Sequence, residues 1–252
     1  MEERLDGGNA GGAVRVGETV RRPAGPWTQA VHALLRHLAG NDFPGSPRPL
    51  GIDGQGREIL TFVEGETVGS ALPWPAWTRT EGTLAQVGRW LRCYHEAVSG
   101  FVPPDGAVWR MGGQWRPGLI IGHNDAAPYN AVWRAGHLAG FIDWDMAGPV
   151  SPAWDLAFAA FSWVPLHARH VVAREGFTDF GSRPARLRLL LAEYGWTGPT
   201  GEFLDIIRAR ICAHAACVRS LAATGDPLFT RLAAQGVAND LDTALAELDE
   251  FT

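Results

Sequence analysis

Residues 122–148 read GHNDAAPYNAVWRAGHLAGFIDWDMAG, and the polar residues of this stretch organise the rest of the chain. Apolar runs at 118–121 and 130–133 bracket a loop that carries His123, Asn124, Asp125 and Asn130. A third run, 137–142, delivers Asp143, Trp144 and Asp145. Short runs of this kind predict strands, and strands that end in loops give a rigid mount for oxygen ligands that must hold a metal and a hydroxyl in fixed relation.

At 252 residues with 46% hydrophobic content, the chain is long enough for one large domain or two lobes and apolar enough to fold without staples. No apolar run approaches the ~18 residues of a membrane span. The opening MEERLDGGNAGG has neither a basic start nor an apolar segment, so the expectation is a cytoplasmic protein with no membrane partner and no signal peptide. A net charge of −5 with no basic stripe argues against a nucleic-acid partner and favours a neutral or cationic one. All 22 basic residues are Arg, so any role ordinarily given to Lys falls to Arg. Cys93, Cys212 and Cys217 are odd in number, which argues against a disulfide framework. On a helix, Cys212, His214 and Cys217 point to different faces, so they read as core thiols rather than zinc ligands.

Before the central stretch, the glycines of LDGGNAGG lead into AVRVGETVRR, which reads as strand, Gly17-Glu18 turn, strand. Glycines in such a lead-in let backbone N–H groups approach phosphate oxygens, although glycine pairs near an N-terminus are more often a flexible leader. Residues 27–38 carry apolar side chains at 27, 30, 31, 34, 35 and 38, the period of an amphipathic helix. Strands are predicted at 50–52 and 58–63 around Asp53-Gly54, and a helix at 83–98. Beyond the central stretch the period predicts helices at 152–170, 184–194, 202–223 and 228–248. The fold class is therefore α+β: a small β-rich lobe with one helix, then a larger helical lobe, with a boundary near Glu64.

The chain resembles the aminoglycoside phosphotransferase and choline kinase group, small-molecule kinases with a two-lobed protein-kinase-like fold. His123-Asn124-Asp125 is similar to that family's H-G-D triplet, and Asp125 to Asn130 has the D-x-x-x-x-N spacing of a kinase catalytic loop. Ile142-Asp143-Trp144 resembles its second metal-binding segment, and GPVSPAWD at 148–155 its G-x-x-x-P-x-x-D. The resemblance implies a nucleotide-binding lobe at 1–63, a hinge at 64–66 and a helical lobe at 67–252 with the catalytic loop at 122–148 and the acceptor site. It implies that Asp125 orients the acceptor hydroxyl and takes its proton, and that Asn130 and Asp143 bind Mg²⁺. It gives ATP or GTP as co-substrate, contacted by Gly7, Gly8, Gly11 and Gly12, by Arg22 in the place of the family's basic strand residue, and by Phe62, Val63 and Glu64 along the adenine edge. His123 is expected to brace the loop by hydrogen bonds, Asp145 to be a solvated or supporting carboxylate, and Asp155 to cap the helix it opens and bond back to the loop. One departure stands out. The family supplies a Glu on the helix after the basic strand, whereas 27–38 contains no acid, so either Glu18 or an incoming phosphate must orient Arg22, or nucleotide binding is altered.

Three readings remain open on the residues. The first is a Mg²⁺-dependent kinase of a small-molecule hydroxyl, working as a monomer or homodimer. The second is a non-catalytic nucleotide or metabolite binder on the same fold. The third is a metal-dependent hydrolase using His123, Asp125, Asp143 and Asp145.

Overall fold

A computed structural model describes residues 2–5, 12–69 and 72–249. The chain divides into two compact units, Met1–Ser70 with Arg89–Asp155, and Ala71–Gly88 with Leu156–Thr252.

The first unit holds a five-stranded antiparallel sheet of β1 (Glu3–Arg4), β2 (Val14–Val16), β3 (Thr19–Pro23), β4 (Pro49–Ile52) and β5 (Arg57–Thr61), in the order β1-β2-β3-β5-β4. The β2–β3 turn is the one expected at Gly17-Glu18, where Gly17 takes φ +58°. Pairing of β3 with β5 sets Arg22 directly opposite Glu58. Helix α1 (Thr28–Gly40) buries Ala30, Val31, Leu34, Leu35 and Leu38 on one face. They join Tyr94 and Val98 of α2 (Glu81–Val98), and Ile121 and Trp144 of the central stretch, in one apolar cluster. Each such buried aliphatic side chain contributes about 1.5–3 kcal/mol.

The central stretch folds as two antiparallel strand pairs, one enclosed in sequence by the other. β7 (Ala131–Arg134) pairs with β8 (His137–Phe141), as its apolar runs predict. β6 (Ile120–Gly122) pairs with β9 (Gly148–Val150), a strand the sequence pattern did not show because Gly-Pro-Val has neither alternation nor length. Its consequence is large: Gly122 pairs with Gly148, so the two ends of the stretch are locked side by side.

The second unit is helical, with part of α2, the later turns of α3 (Pro152–Trp163), then α4 (Arg169–Arg174), α5 (Arg183–Tyr194), α6 (Thr200–Ala223), α7 (Pro227–Ala234) and α8 (Val237–Leu248). Two expected helices are each broken in two. The 152–170 helix stops at Trp163 next to Pro165, whose ring and missing N–H oppose continuation. The 228–248 helix stops before Gly236, which takes φ +84°. Phe203, Ile207, Leu241 and Ala244 are buried where α6 packs against α8. The buried Arg186 guanidinium donates to the carbonyls of Arg79 at 2.7 Å and Trp163 at 2.8 Å. Cys93 and Cys212 are exposed rather than core, lying on the outward faces of α2 and α6. No described helix is long and apolar enough to cross a membrane.

Candidate active site

The whole of the 122–148 stretch lies within the first unit. The loop is pinned from below by Asp155, a fully buried carboxylate. It accepts the backbone N–H of His123 at 3.1 Å and of Asn124 at 2.6 Å, and meets His95 Nε2 at 2.9 Å. Burial opposes its ionisation, but the hydrogen bond and charge of His95 and the Asn124 amide prevail, and its pKa lies below the ordinary value. Asp155 thus bonds back to the loop as expected, while the side-chain cap on α3 comes from Ser151, whose hydroxyl accepts from Trp154 N. The loop passes so close that a Cβ at Gly122 would lie 2.8 Å from Asp155 Cγ.

Asn124, at the place of the family's Gly, takes φ +62°. Asn tolerates this left-handed conformation better than most residues, and its Nδ2 donates to Met146 O at 3.1 Å, tying the catalytic loop to the segment after Asp143. The His123 side chain braces the loop chiefly by packing, while its backbone N–H bonds Asp155. Its ring lies 4.4 Å from Trp144 and 5.8 Å from Phe141, neither ring nitrogen makes a well-formed hydrogen bond, and burial lowers its pKa.

Asp125 follows. Its Oδ2 accepts from Asn130 Nδ2 at 2.8 Å, and the same nitrogen donates to Asp125 O at 3.0 Å. Two acceptors on one side fix the Asn130 amide with its nitrogen toward Asp125, so its oxygen is turned to the other side. Tyr129 Oη donates to Asp125 Oδ1 at 2.6 Å. Ile142 N donates to Asn130 O at 2.9 Å and so joins this loop to Asp143 on the next one.

Asp143 also sits at positive φ, +58°, and its Oδ1 accepts from Arg22 Nη1 at 2.8 Å. The other arms of the Arg22 fork reach Glu58 Oε1 at 2.6 Å and Asp145 Oδ1 at 2.6 Å. Burial alone would weaken the Arg22 charge, but Asp143, Asp145 and Glu58 more than offset it and raise its pKa. Glu58 Oε2 is 2.8 Å from His32 Nε2 on the buried face of α1. The missing helix acid is therefore supplied by a strand: Glu58 orients Arg22 and α1 contributes the histidine behind it. Glu18 takes no part, since it pairs with Arg15. Asp145 is not solvated. Its side chain is 14% exposed and also meets Arg110 Nη1 at 3.4 Å, with Arg110 stacked 4.6 Å from the Trp27 ring. Burial, opposed by Arg22 and aided by Asp143, raises its pKa.

Arg22, Asp125, Asn130 and Asp143 are thus linked through one set of contacts. The other expected contacts are separate from that set. Gly7, Gly8 and Gly11 lie outside the described residues, and Gly12 takes φ +88°. Phe62 lies under the Arg15 guanidinium at 3.8 Å, Val63 is half-buried, and Glu64 is exposed, 3.7 Å from Arg134. Glu66 pairs with Trp133 by two backbone hydrogen bonds of 2.8 Å. Sequence reasoning missed Glu58, His32, Arg110 and Tyr129. Only Tyr129 left a local signal, as the residue immediately before Asn130 in the loop.

Among the described residues no group of three or more His, Cys, Asp or Glu side chains could hold a metal by itself. That suits Mg²⁺, which is ordinarily held by one or two carboxylates together with substrate phosphates and water. Asp143, with a side chain 32% exposed, and the amide oxygen of Asn130 on the side away from Asp125 offer hard donors of the right chemistry.

A small antiparallel sheet, its helix and a catalytic-type loop followed by helices make up a protein-kinase-like fold. The model of the phosphotransferase enzyme family matches residues 103–190. A trifolitoxin immunity protein from Rhizobium leguminosarum bv. trifolii is 38% identical over 207 residues, 80% of this chain and 77% of that protein. Among solved structures, an amicoumacin kinase in complex with AMP-PNP and Ca²⁺ superimposes with a TM-score of 0.64 at 9% identity, covering 100% of this chain and 88% of that one. A choline/ethanolamine kinase family protein from Mesorhizobium loti gives 0.59 at 17% identity, covering 98% and 92%. The chain belongs to the phosphotransferase enzyme family, with aminoglycoside phosphotransferases and choline kinase-like proteins as structural neighbours.

Proposed function

We propose that this protein transfers the γ-phosphoryl group of ATP or GTP to a hydroxyl of a small molecule, in a Mg²⁺-dependent reaction. The observation that carries the reading is the Ile142–Asn130 backbone bond of 2.9 Å, because it links the loop of Asp125 and Asn130 to the loop of Asp143, which Arg22 also holds. Asp125 is the base and Asn130 and Asp143 are the metal ligands. The acceptor oxygen bonds to the γ-phosphorus, the bond to the bridging oxygen breaks, the nucleoside diphosphate leaves with the electron pair, and the acceptor proton passes to Asp125. Bound Mg²⁺ would neutralise charge developing on the phosphate oxygens. Arg22, held at Nε by Glu58 and at Nη2 by Asp145, would turn Nη1 from Asp143 to phosphate. On this reading 1–63 is the nucleotide lobe, 64–66 the hinge, the glycines before β2 and residues 62–64 contact the nucleotide, and the protein acts in the cytoplasm as a monomer or homodimer.

A second reading, a binder without turnover, has one observation in its favour: each nitrogen of the Arg22 fork already donates to a carboxylate, so a phosphate must compete with three of them. Release of ADP or GDP, screened over aminoglycosides, macrolides, choline-like amines and sugars, separates the two. The kinase reading expects release with one acceptor class, and a fall of about 10²–10⁴-fold in Asp125→Asn with Mg·nucleotide binding retained. Stabilisation by Mg·nucleotide without release for any acceptor favours the binder. Undiminished release by Asp125→Asn overturns the assignment of the base.

A further inference from the structure

The hydroxyl of Tyr129 occupies the oxygen of Asp125 that an acceptor needs. Of the two carboxylate oxygens, Oδ2 is taken by the Asn130 amide, which the loop backbone fixes, and Oδ1 accepts from Tyr129 Oη at 2.6 Å. That is the separation expected between a catalytic base and the hydroxyl it deprotonates. The two donors differ in freedom. Asn130 is buried, whereas Tyr129 is 43% exposed, the exposed member of the turn Pro128–Asn130. A buried amide is a permanent brace, whereas the partly exposed phenol has more room to move.

We propose that Tyr129 is a specificity-determining residue that sets the acceptor hydroxyl against water. With no acceptor bound, the phenol covers Asp125 Oδ1 and denies the base to water, so nucleotide is not hydrolysed. An acceptor hydroxyl displaces it, and the exposed ring packs on the acceptor. The inference rests on the kinase reading, in which Asp125 is the base. Tyr129 acts through Asp125 and is a positioning residue.

The test uses the full chain with Mg²⁺ and ATP or GTP and no acceptor, so that water is the acceptor. Tyr129→Phe keeps the ring and removes the hydroxyl. It should raise acceptor-free hydrolysis about 3–10-fold, the loss of one modest hydrogen-bond energy, with KM for the nucleotide unchanged. Adding Asp125→Asn must abolish the excess. Independently of turnover, the chain contains three tyrosines, so ¹³Cζ-tyrosine NMR resolves them. The resonance that disappears in Tyr129→Phe should shift in Asp125→Asn. Unchanged or reduced hydrolysis in Tyr129→Phe, excess that survives Asp125→Asn, or a Tyr129 resonance indifferent to Asp125→Asn each overturns the inference. Failure of the kinase reading looks different: the wild type releases no diphosphate with any acceptor while the Tyr129 resonance still responds to Asp125, and the inference then falls with it.

Discussion

Arg22 and Glu58 face each other across β3 and β5, and Glu58 accepts the Arg22 Nε–H at 2.6 Å while its second oxygen meets His32 at 2.8 Å. In family relatives the resemblance places the corresponding acid on the helix. Here the acid sits on the strand and the helix gives the imidazole, so the cation is aimed by a cross-strand pair.

Removing Glu58 should therefore be costly. Glu58→Ala leaves a buried guanidinium short of one partner and a buried imidazole with none of its carboxylate, a loss of about 3–5 kcal/mol. Urea denaturation measures it. Arg22→Lys should fold, but a point charge cannot serve Glu58, Asp143 and Asp145 together. Its KM for Mg·nucleotide should rise about 10–100-fold, the loss of one or two charge-assisted hydrogen bonds.

Asp155 contributes to the acid limb of stability. Its folded pKa lies below the ordinary carboxyl value of about 3.9. Between those two values the unfolded chain binds more protons than the folded one, so the Asp155 contribution is fully present above the ordinary value and is lost as pH falls through the folded one. Asp155→Asn should be less stable than wild type at pH 7, by about 1.5–3 kcal/mol for hydrogen bonds to a charged group. The gap between the two proteins should close as pH drops below 4. A gap that stays constant to pH 2 would contradict the ionised role. Chemical denaturation across pH 2–7 reads this directly.

How much of this was legible in the sequence follows from where each interaction is encoded. That Asp125, Asn130 and Asp143 come together was readable because they lie in one short stretch whose spacing survives without knowledge of the fold. Asp155 was readable for the same reason, sitting at a fixed distance along GPVSPAWD. Glu58 was not, because its partnership with Arg22 depends on β3 pairing with β5 while β4 intervenes in the chain, and a register one residue different would have turned it to the other face. Arg110 comes from an aperiodic segment between α2 and β6, where no period exists to place it. The two split helices were missed because a single Pro or Gly decides a break that a smooth apolar period conceals.

Asn124 should tolerate glycine better than alanine. At φ +62° an alanine Cβ crowds the following carbonyl, at about 1–2 kcal/mol, and Asn124→Ala also loses the bond to Met146 O. Asn124→Gly loses the bond but not the conformation. Thermal denaturation should rank wild type above Gly above Ala. Ala at or above Gly would mean that the left-handed turn is not held in solution.

The exchange at Asp143 gives the last test. In the structure the Asp143 carboxylate is neutralised by Arg22 at 2.8 Å, and on the kinase reading Asp143 would hold Mg²⁺ instead and leave Nη1 free for phosphate. Mg·nucleotide should therefore stabilise the fold far more than either component alone, because metal and phosphate together must compensate for the broken ion pair. At a concentration of about 100 times Kd, linkage gives about 2.7 kcal/mol, which for a chain of this size is a rise in Tm of about 5–10 °C. Asp143→Asn retains hydrogen bonding to Arg22 but withdraws the charge that holds the metal. It should fold, and it should lose most of that rise while keeping a small response to nucleotide alone. An equal rise in Asp143→Asn and wild type would place the metal elsewhere and release Asp143 from the site.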